Sequence, residues 1–257
     1  MSRAAPAAPL AANVRGAAPR AAAARLFSQL RQRFREGRRD VGARNWRAWW
    51  NMLAAGAAAS AILAALLVLA ARWLLAHGAL DREAELLLWL ARDGPLRFSS
   101  AVFFQTLGTD ITLLMVVGVT AGVATWLRRP ITALSIVASF VVPDLVVRFG
   151  WVLWERPRPE ILQGGIAAPG LHAFPSGHTA KSLAVYGLLT ILWIRASGSV
   201  SEKIVAVGLV LGIAVTVPLA RLSMGVHWPS DVAAGAILGA AFLTVLAYGL
   251  RFERHED

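Results

Sequence analysis

Three short stretches hold residue types that together can handle a phosphate. Pro175-Ser176-Gly177-His178 stands just before an apolar run. A hydroxyl, a glycine and the free N–H groups of a helix start converge there, and both the helix dipole and the unpaired donors favour an anion. His178 is placed to act beside that anion as a proton donor. The second stretch runs from Ala220 to Asp231 and contains Arg221, His227 and Asp231. Pro229 suits the first turn of a helix, which puts Asp231 in that turn with its carboxylate toward His227. An aspartate bonded to one imidazole nitrogen fixes the tautomer and leaves the other nitrogen free as a nucleophile. Arg221 offers a planar fork of donors that matches phosphoryl oxygens. In the third stretch, Arg156-Pro157-Arg158-Pro159, two rigid prolines hold two guanidiniums at fixed spacing, as in a phosphate clamp.

The elements that must position these residues are membrane helices. Of the 257 residues 57% are hydrophobic and 16% charged, with a mean hydropathy of +0.57, which is too apolar for an ordinary soluble domain. Six apolar runs, at residues 52–76, 111–127, 131–153, 176–194, 204–219 and 232–250, each approach the roughly 20 residues needed to cross about 30 Å of hydrocarbon. The expected fold is therefore all-α, a polytopic bundle of six transmembrane helices over residues 48–252. Residues 81–93 mix charges with Leu86, Leu87, Trp89 and Leu90, a pattern that suits an interfacial helix.

Residues 1–47 are rich in Ala and Arg and poor in acids. They read as a disordered cytoplasmic tail, or as a surface helix with Leu26, Phe27, Leu30 and Phe34 at helical spacing and Arg25, Arg31, Arg35 and Arg38 toward an anionic leaflet. The formal net charge of +11 is concentrated in this tail and between the apolar runs. That distribution is a topology signal and not a nucleic-acid footprint. Cytoplasmic loops favour Lys and Arg, so the tail, Arg128, Arg129, Arg195, Lys203, Arg251 and Arg254 go inside. Both termini are then cytoplasmic in a cell inner membrane, and all three motifs fall on the outer, periplasmic face. There is no cysteine, which excludes disulfides and thiolate metal sites.

In this order, the three motifs resemble those of the PAP2 superfamily, which includes lipid phosphatases and the soluble vanadium haloperoxidases. The resemblance runs from about Phe98 to Leu250 and takes in Gly225 to Asp231 and Gly235 and Gly239 behind it. It implies a membrane lipid-phosphate phosphatase in which His227 attacks phosphorus, Asp231 orients it, and His178 protonates the leaving oxygen and later activates water. Arg158, Arg221, Ser176 and the Gly177 N–H would hold the equatorial oxygens. It implies no metal and no other cofactor.

The chain also departs from the family pattern. A lysine expected seven residues before Arg158 is Trp151, and the serine expected before Arg221 is Ala220. Arg148 shares a helix face with Trp151 and can stand in for the lysine, or it can pair with Asp144 at i, i+4 inside the membrane. Lys181, one turn after His178, can reach the phosphate or snorkel to the interface. His172, in the loop before Pro175, can edge the site or lie on the plain surface, and His77 and His255 need no function. The substrate class is a phosphorylated membrane lipid: undecaprenyl pyrophosphate, phosphatidic acid, phosphatidylglycerol phosphate or a lipid A phosphate. A lipid phosphotransferase and a silent lipid transporter or scaffold are the other readings. Gly235 and Gly239 form a small-xxx-small face that either joins two copies or packs within one, so the oligomeric state stays open.

Overall fold

The computed structural model describes residues 14–159 and 172–253, with side chains from residue 21 onward. Residues 1–13 of the tail, Arg254 and His255 lie outside the described residues. The helices are α1 (Val14–Ala76), α2 (Glu83–Arg92), α3 (Phe98–Gln105), α4 (Asp110–Trp126), α5 (Pro130–Leu153), α6 (Gly177–Ala196), α7 (Val200–Ser223) and α8 (Pro229–Gly249). Short 3-10 turns at Thr106–Gly108 and Leu250–Glu253 complete the path, and no strand occurs among the described residues.

Each of the six apolar runs lies in a long helix, yet five of these helices are long and apolar enough to cross a membrane, not six. The exception is α6. Its first turns carry Gly177, His178, Thr179, Lys181 and Ser182, and polar side chains at that density lower its hydropathy. Its position explains how it tolerates them, because α6 packs on α5, α7 and α8 and its polar start is covered by protein. The outer helices show the opposite pattern. Only 17% of the most apolar stretch of α7 is buried inside the protein, and Ile204, Leu209 and Val215 are exposed. Such a surface is stable only against lipid, and the chain is a multi-pass membrane protein.

The N-terminal segment is helical where it is described. α1 breaks at Gly42, whose φ of 77° and ψ of 159° lie outside helical space. Before the break, exposed Leu26 and Phe27 alternate with arginines, while Glu36 pairs with Arg128 at 3.0 Å. After it, Trp49 is fully buried and donates to Ser135 Oγ at 3.2 Å. The largest apolar cluster, including Val41, Trp49, Ile131, Leu188, Phe242 and Leu246, holds this end of the bundle together. Here Glu253 accepts the backbone N–H groups of Ile131 and Thr132, which satisfies free donors at the start of α5.

Two features set the geometry of the opposite end. α2 is the short amphipathic helix expected at residues 81–93, with Leu87 and Leu90 buried against Leu222 and Val232 while Leu86 and Trp89 stay exposed. α6 and α8 approach to backbone contact: a Cβ on Gly235 would lie 2.5 Å from Ser176 O, and one on Gly239 2.6 Å from Ala180 O. The small-xxx-small face is therefore occupied by α6 of the same chain.

Candidate active site

The ends of α5, α7 and the starts of α6 and α8 meet at one end of the bundle, and backbone hydrogen bonds join the three motifs there. Ser176 N–H donates to Asp231 O at 3.0 Å, and Ala173 N–H to Arg156 O at 2.9 Å. Trp151 Nε1 donates to Pro175 O at 3.2 Å and Trp228 Nε1 to Pro157 O at 2.9 Å. Side chains on loops are thus held by main-chain partners.

Pro229 opens α8, as its fixed φ favours. Asp231 then sits in the first turn, where its Oδ2 accepts Trp228 N–H at 2.7 Å and faces His227 Nδ1 at 3.4 Å. Gly225, with φ of 65°, makes the turn that brings His227 back toward α8; other residues are strained in that conformation. His227 and Asp231 are 1% and 0% exposed. His227 lies between the spans that end at Ser223 and begin at Pro229. Burial, then the Arg221 and Arg158 guanidiniums, hold its imidazole well below the ordinary 6.5; a backbone hydrogen bond with Ala173 acts in the opposite sense. At neutral pH the ring is therefore uncharged, which is the form that can act as a nucleophile.

Around this pair stand the cations. Arg158 donates to Val226 O at 2.8 Å, and burial pushes its guanidinium below its ordinary range while Asp231 offsets part of that. Arg221, at the C-terminal end of α7, is buried and donates Nη1 to Gln105 Oε1 at 2.5 Å. Its Nε, like Ser223 Oγ, is buried with no hydrogen-bond partner among the described residues. Buried donors of this kind are rare, and each is free to donate to a water, an ion or a ligand oxygen. Arg158, Arg221 and His227 all lie near enough to His178 to act on its charge. Ser176 holds the N-cap position of α6 without a side-chain capping bond and is fully buried, with Thr179 Oγ1 donating to its Oγ at 3.2 Å. Gly177 is the first helical residue, so its N–H is one that the helix leaves unpaired.

Two candidates for the missing lysine are engaged elsewhere. Arg148 Nε donates to Asp144 at 2.7 Å and its side chain is 56% exposed, the i, i+4 pairing. Lys181 is buried between Asp144, at 2.9 Å, and Asp110. Arg156 does not form a twin clamp with Arg158. Its Nη1 donates to Asp231 Oδ1 and to Ser230 Oγ, each at 2.6 Å, and its Nη2 to Glu83 Oε2 at 2.7 Å. Glu83 and Gln105 had no sequence signal, since each meets its arginine across a long sequence separation. His172 stands at the rim, 4.0 Å from Glu155.

Fold and site together define a polytopic helical membrane protein with buried histidine, aspartate and arginine at one end of the bundle. Residues 132–254, which carry all three motifs, match the family model of the PAP2 superfamily. Phosphatidylglycerophosphatase B of Bacillus subtilis (strain 168) is 33% identical over 94 residues, a match spanning 35% of this chain and 42% of that protein. The crystal structure of a transmembrane PAP2 type phosphatidylglycerolphosphate phosphatase from Bacillus subtilis superposes with a TM-score of 0.62. At 20% identity it covers 74% of this chain and 93% of its own, a likeness of fold.

Proposed function

We propose that the chain is a lipid-phosphate phosphatase that works through a phosphohistidine and needs no metal. The observation that carries this reading is the convergence of an uncharged, aspartate-bound His227 with the half-buried Arg158 and the buried Arg221, whose Nε has no hydrogen-bond partner among the described residues. With Nδ1 committed to Asp231, the Nε2 lone pair of His227 forms a bond to phosphorus. The bond between phosphorus and the lipid oxygen breaks, and His178 gives that oxygen its proton. Water then attacks phosphorus and loses a proton to His178, the N–P bond breaks, and inorganic phosphate leaves. Arg158, Arg221, Ser176 Oγ and the Gly177 N–H hold the equatorial oxygens as charge builds on them. Two guanidiniums supply the positive charge that a metal supplies in other phosphatases.

In this reading the arginine-rich segment up to residue 47 lies on the cytoplasmic side of an inner membrane, residues 48–252 form the catalytic unit, and the site opens to the outer face. The basic residues Arg128, Arg129 and Arg195 at the end of the bundle remote from the motifs support that orientation. The named activity of the Bacillus relative makes phosphatidylglycerol phosphate the first substrate to try. Phosphatidic acid, undecaprenyl pyrophosphate and a lipid A phosphate complete the panel.

The test is phosphate release in detergent with a chelator present, comparing the unmodified chain with His227→Ala and His178→Ala. Release that persists without divalent metal and disappears in His227→Ala supports the reading. Release that needs added metal, or survives His227→Ala, refutes it.

A further inference from the structure

Glu83 stands on α2, outside the segment that matches the family. Even so, it is one of four consecutively linked buried side chains that end at the nucleophile. Glu83, Arg156, Asp231 and His227 are 8%, 4%, 0% and 1% exposed. Glu83 Oε2 accepts Arg156 Nη2 at 2.7 Å, and Glu83 Oε1 accepts Ser230 N–H at 2.6 Å. Arg156 Nη1 reaches Asp231 Oδ1, and Asp231 Oδ2 faces His227 Nδ1. The Trp154 and Trp228 rings lie 5.1 and 5.4 Å from the guanidinium carbon, which restricts the plane in which the fork can turn.

We propose that Glu83 is a positioning residue for phosphoryl transfer: it fixes Arg156, through Arg156 the carboxylate of Asp231, and through Asp231 the ring of His227. The proposal rests on the function proposed above and adds α2 to the apparatus that performs it.

The argument is one of donors and acceptors. Arg156 presents two Nη groups, and Glu83 occupies one of them. Without that acceptor, a buried N–H must go unpaired or the fork must turn so that both groups engage Asp231. The second outcome draws Oδ2 toward Arg156 and away from Trp228 N–H and His227. Glu83 thus keeps the two Asp231 oxygens on separate tasks. Charge works in the same direction. The groups facing His227 are Arg221 on α7, Arg156 and Arg158 between α5 and α6, His178 on α6 and Asp231 on α8. With three guanidiniums among them, the Glu83 carboxylate is what neutralises Arg156 and leaves the charge of Asp231 to the imidazole.

A simple docking role for the ion pair explains less. α2 is already anchored by Leu87 and Leu90 on Leu222 and Val232, and a buried ion pair adds little net stability over an apolar replacement. What such a pair does supply is geometry, at the one carboxylate that touches the nucleophile.

The experiment compares Glu83→Gln, Glu83→Asp, Arg156→Gln and the Glu83→Gln/Arg156→Gln double variant with the unmodified chain, on full-length detergent-purified protein. Glu83→Gln is expected to lower kcat by about 10- to 100-fold with KM within about twofold, as loss of an outer partner does at other sites. Removing a negative charge also makes the surroundings of His227 more positive. The acidic limb of the kcat/KM profile should therefore move to lower pH, by about half a unit. Glu83→Asp keeps the charge and should restore the position of that limb. The double variant should be no slower than Arg156→Gln alone, since the two residues act in series.

A Glu83→Gln enzyme with an unmoved pH profile and unchanged kcat per folded molecule, whatever its melting temperature, overturns the proposal. So does a double variant whose losses multiply. If His227→Ala itself releases phosphate, the functional reading has failed instead. Loss of activity in His227→Ala with a wild-type-like Glu83→Gln condemns the proposal alone.

Discussion

Arg156 Nη1 lies 2.6 Å from Asp231 Oδ1, so this buried carboxylate carries a guanidinium on one oxygen and faces the imidazole of His227 with the other. The pairing redefines the Arg-Pro-Arg-Pro stretch, in which Arg156 serves the aspartate and Arg158 donates to Val226 O. It also fixes what Asp231→Asn should do. The amide keeps the shape, but it cannot accept from both Arg156 and His227 on equal terms, and the tautomer of His227 is released. On the order of a thousandfold loss in kcat is expected, by analogy with aspartates that orient catalytic histidines elsewhere. A phosphate-release assay decides it, and a loss under tenfold would remove Asp231 from its orienting role.

The depressed basicity of His227 makes stability depend on pH in a definite direction. Its folded pKa lies well below its ordinary 6.5, so below that value the unfolded chain takes up a proton that the folded chain resists. The contribution is complete above about pH 6.5 and is lost as pH falls from there toward the folded pKa, at up to about 1.4 kcal/mol per unit. Melting curves of the unmodified chain and His227→Gln from pH 8 to pH 5 should diverge, the former falling more steeply on acidification. Parallel curves would contradict the assignment.

Lys181, a candidate to replace the family lysine missing at Trp151, separates structure from catalysis. Its ammonium is buried between Asp110 and Asp144. Lys181→Met leaves Asp144 paired with Arg148 and takes the ammonium away from Asp110, and breaking a buried pair costs about 3 kcal/mol. The expected result is a large fall in melting temperature with KM almost unchanged in the folded fraction. A several-fold rise in KM at unchanged melting temperature would show instead that Lys181 holds phosphate.

Much of this architecture could be read from sequence because its determinants are local. Apolar runs placed the helices, Pro229 marked the start of α8, and that start put Asp231 in the first turn with its carboxylate toward His227. The charge pattern of residues 81–93 identified α2 as amphipathic. What escaped depended on partners far apart in the chain. Glu83 and Arg156 are 73 residues apart, and Arg221 and Gln105 are 116 apart; neither pair leaves a periodic trace. Hydropathy supports five of the six expected spans for a related reason. α6 resembles a spanning helix by length, but it carries the polar residues of the site and relies on neighbouring helices to cover them.

The carboxylate of Glu253 on the N-terminal N–H groups of α5 has one more consequence. Thr132 and Glu253 sit at the two ends of the family-matched segment, so α5 through α8 begin and end at a single point in space. Such a unit is closed on itself. Its four helices return the chain to the point it left, so preceding or following chain can be attached at that junction without disturbing the order of helices inside. A short linker from residue 253 to residue 132 would not need to cross the bilayer, which is the geometric condition for circular permutation.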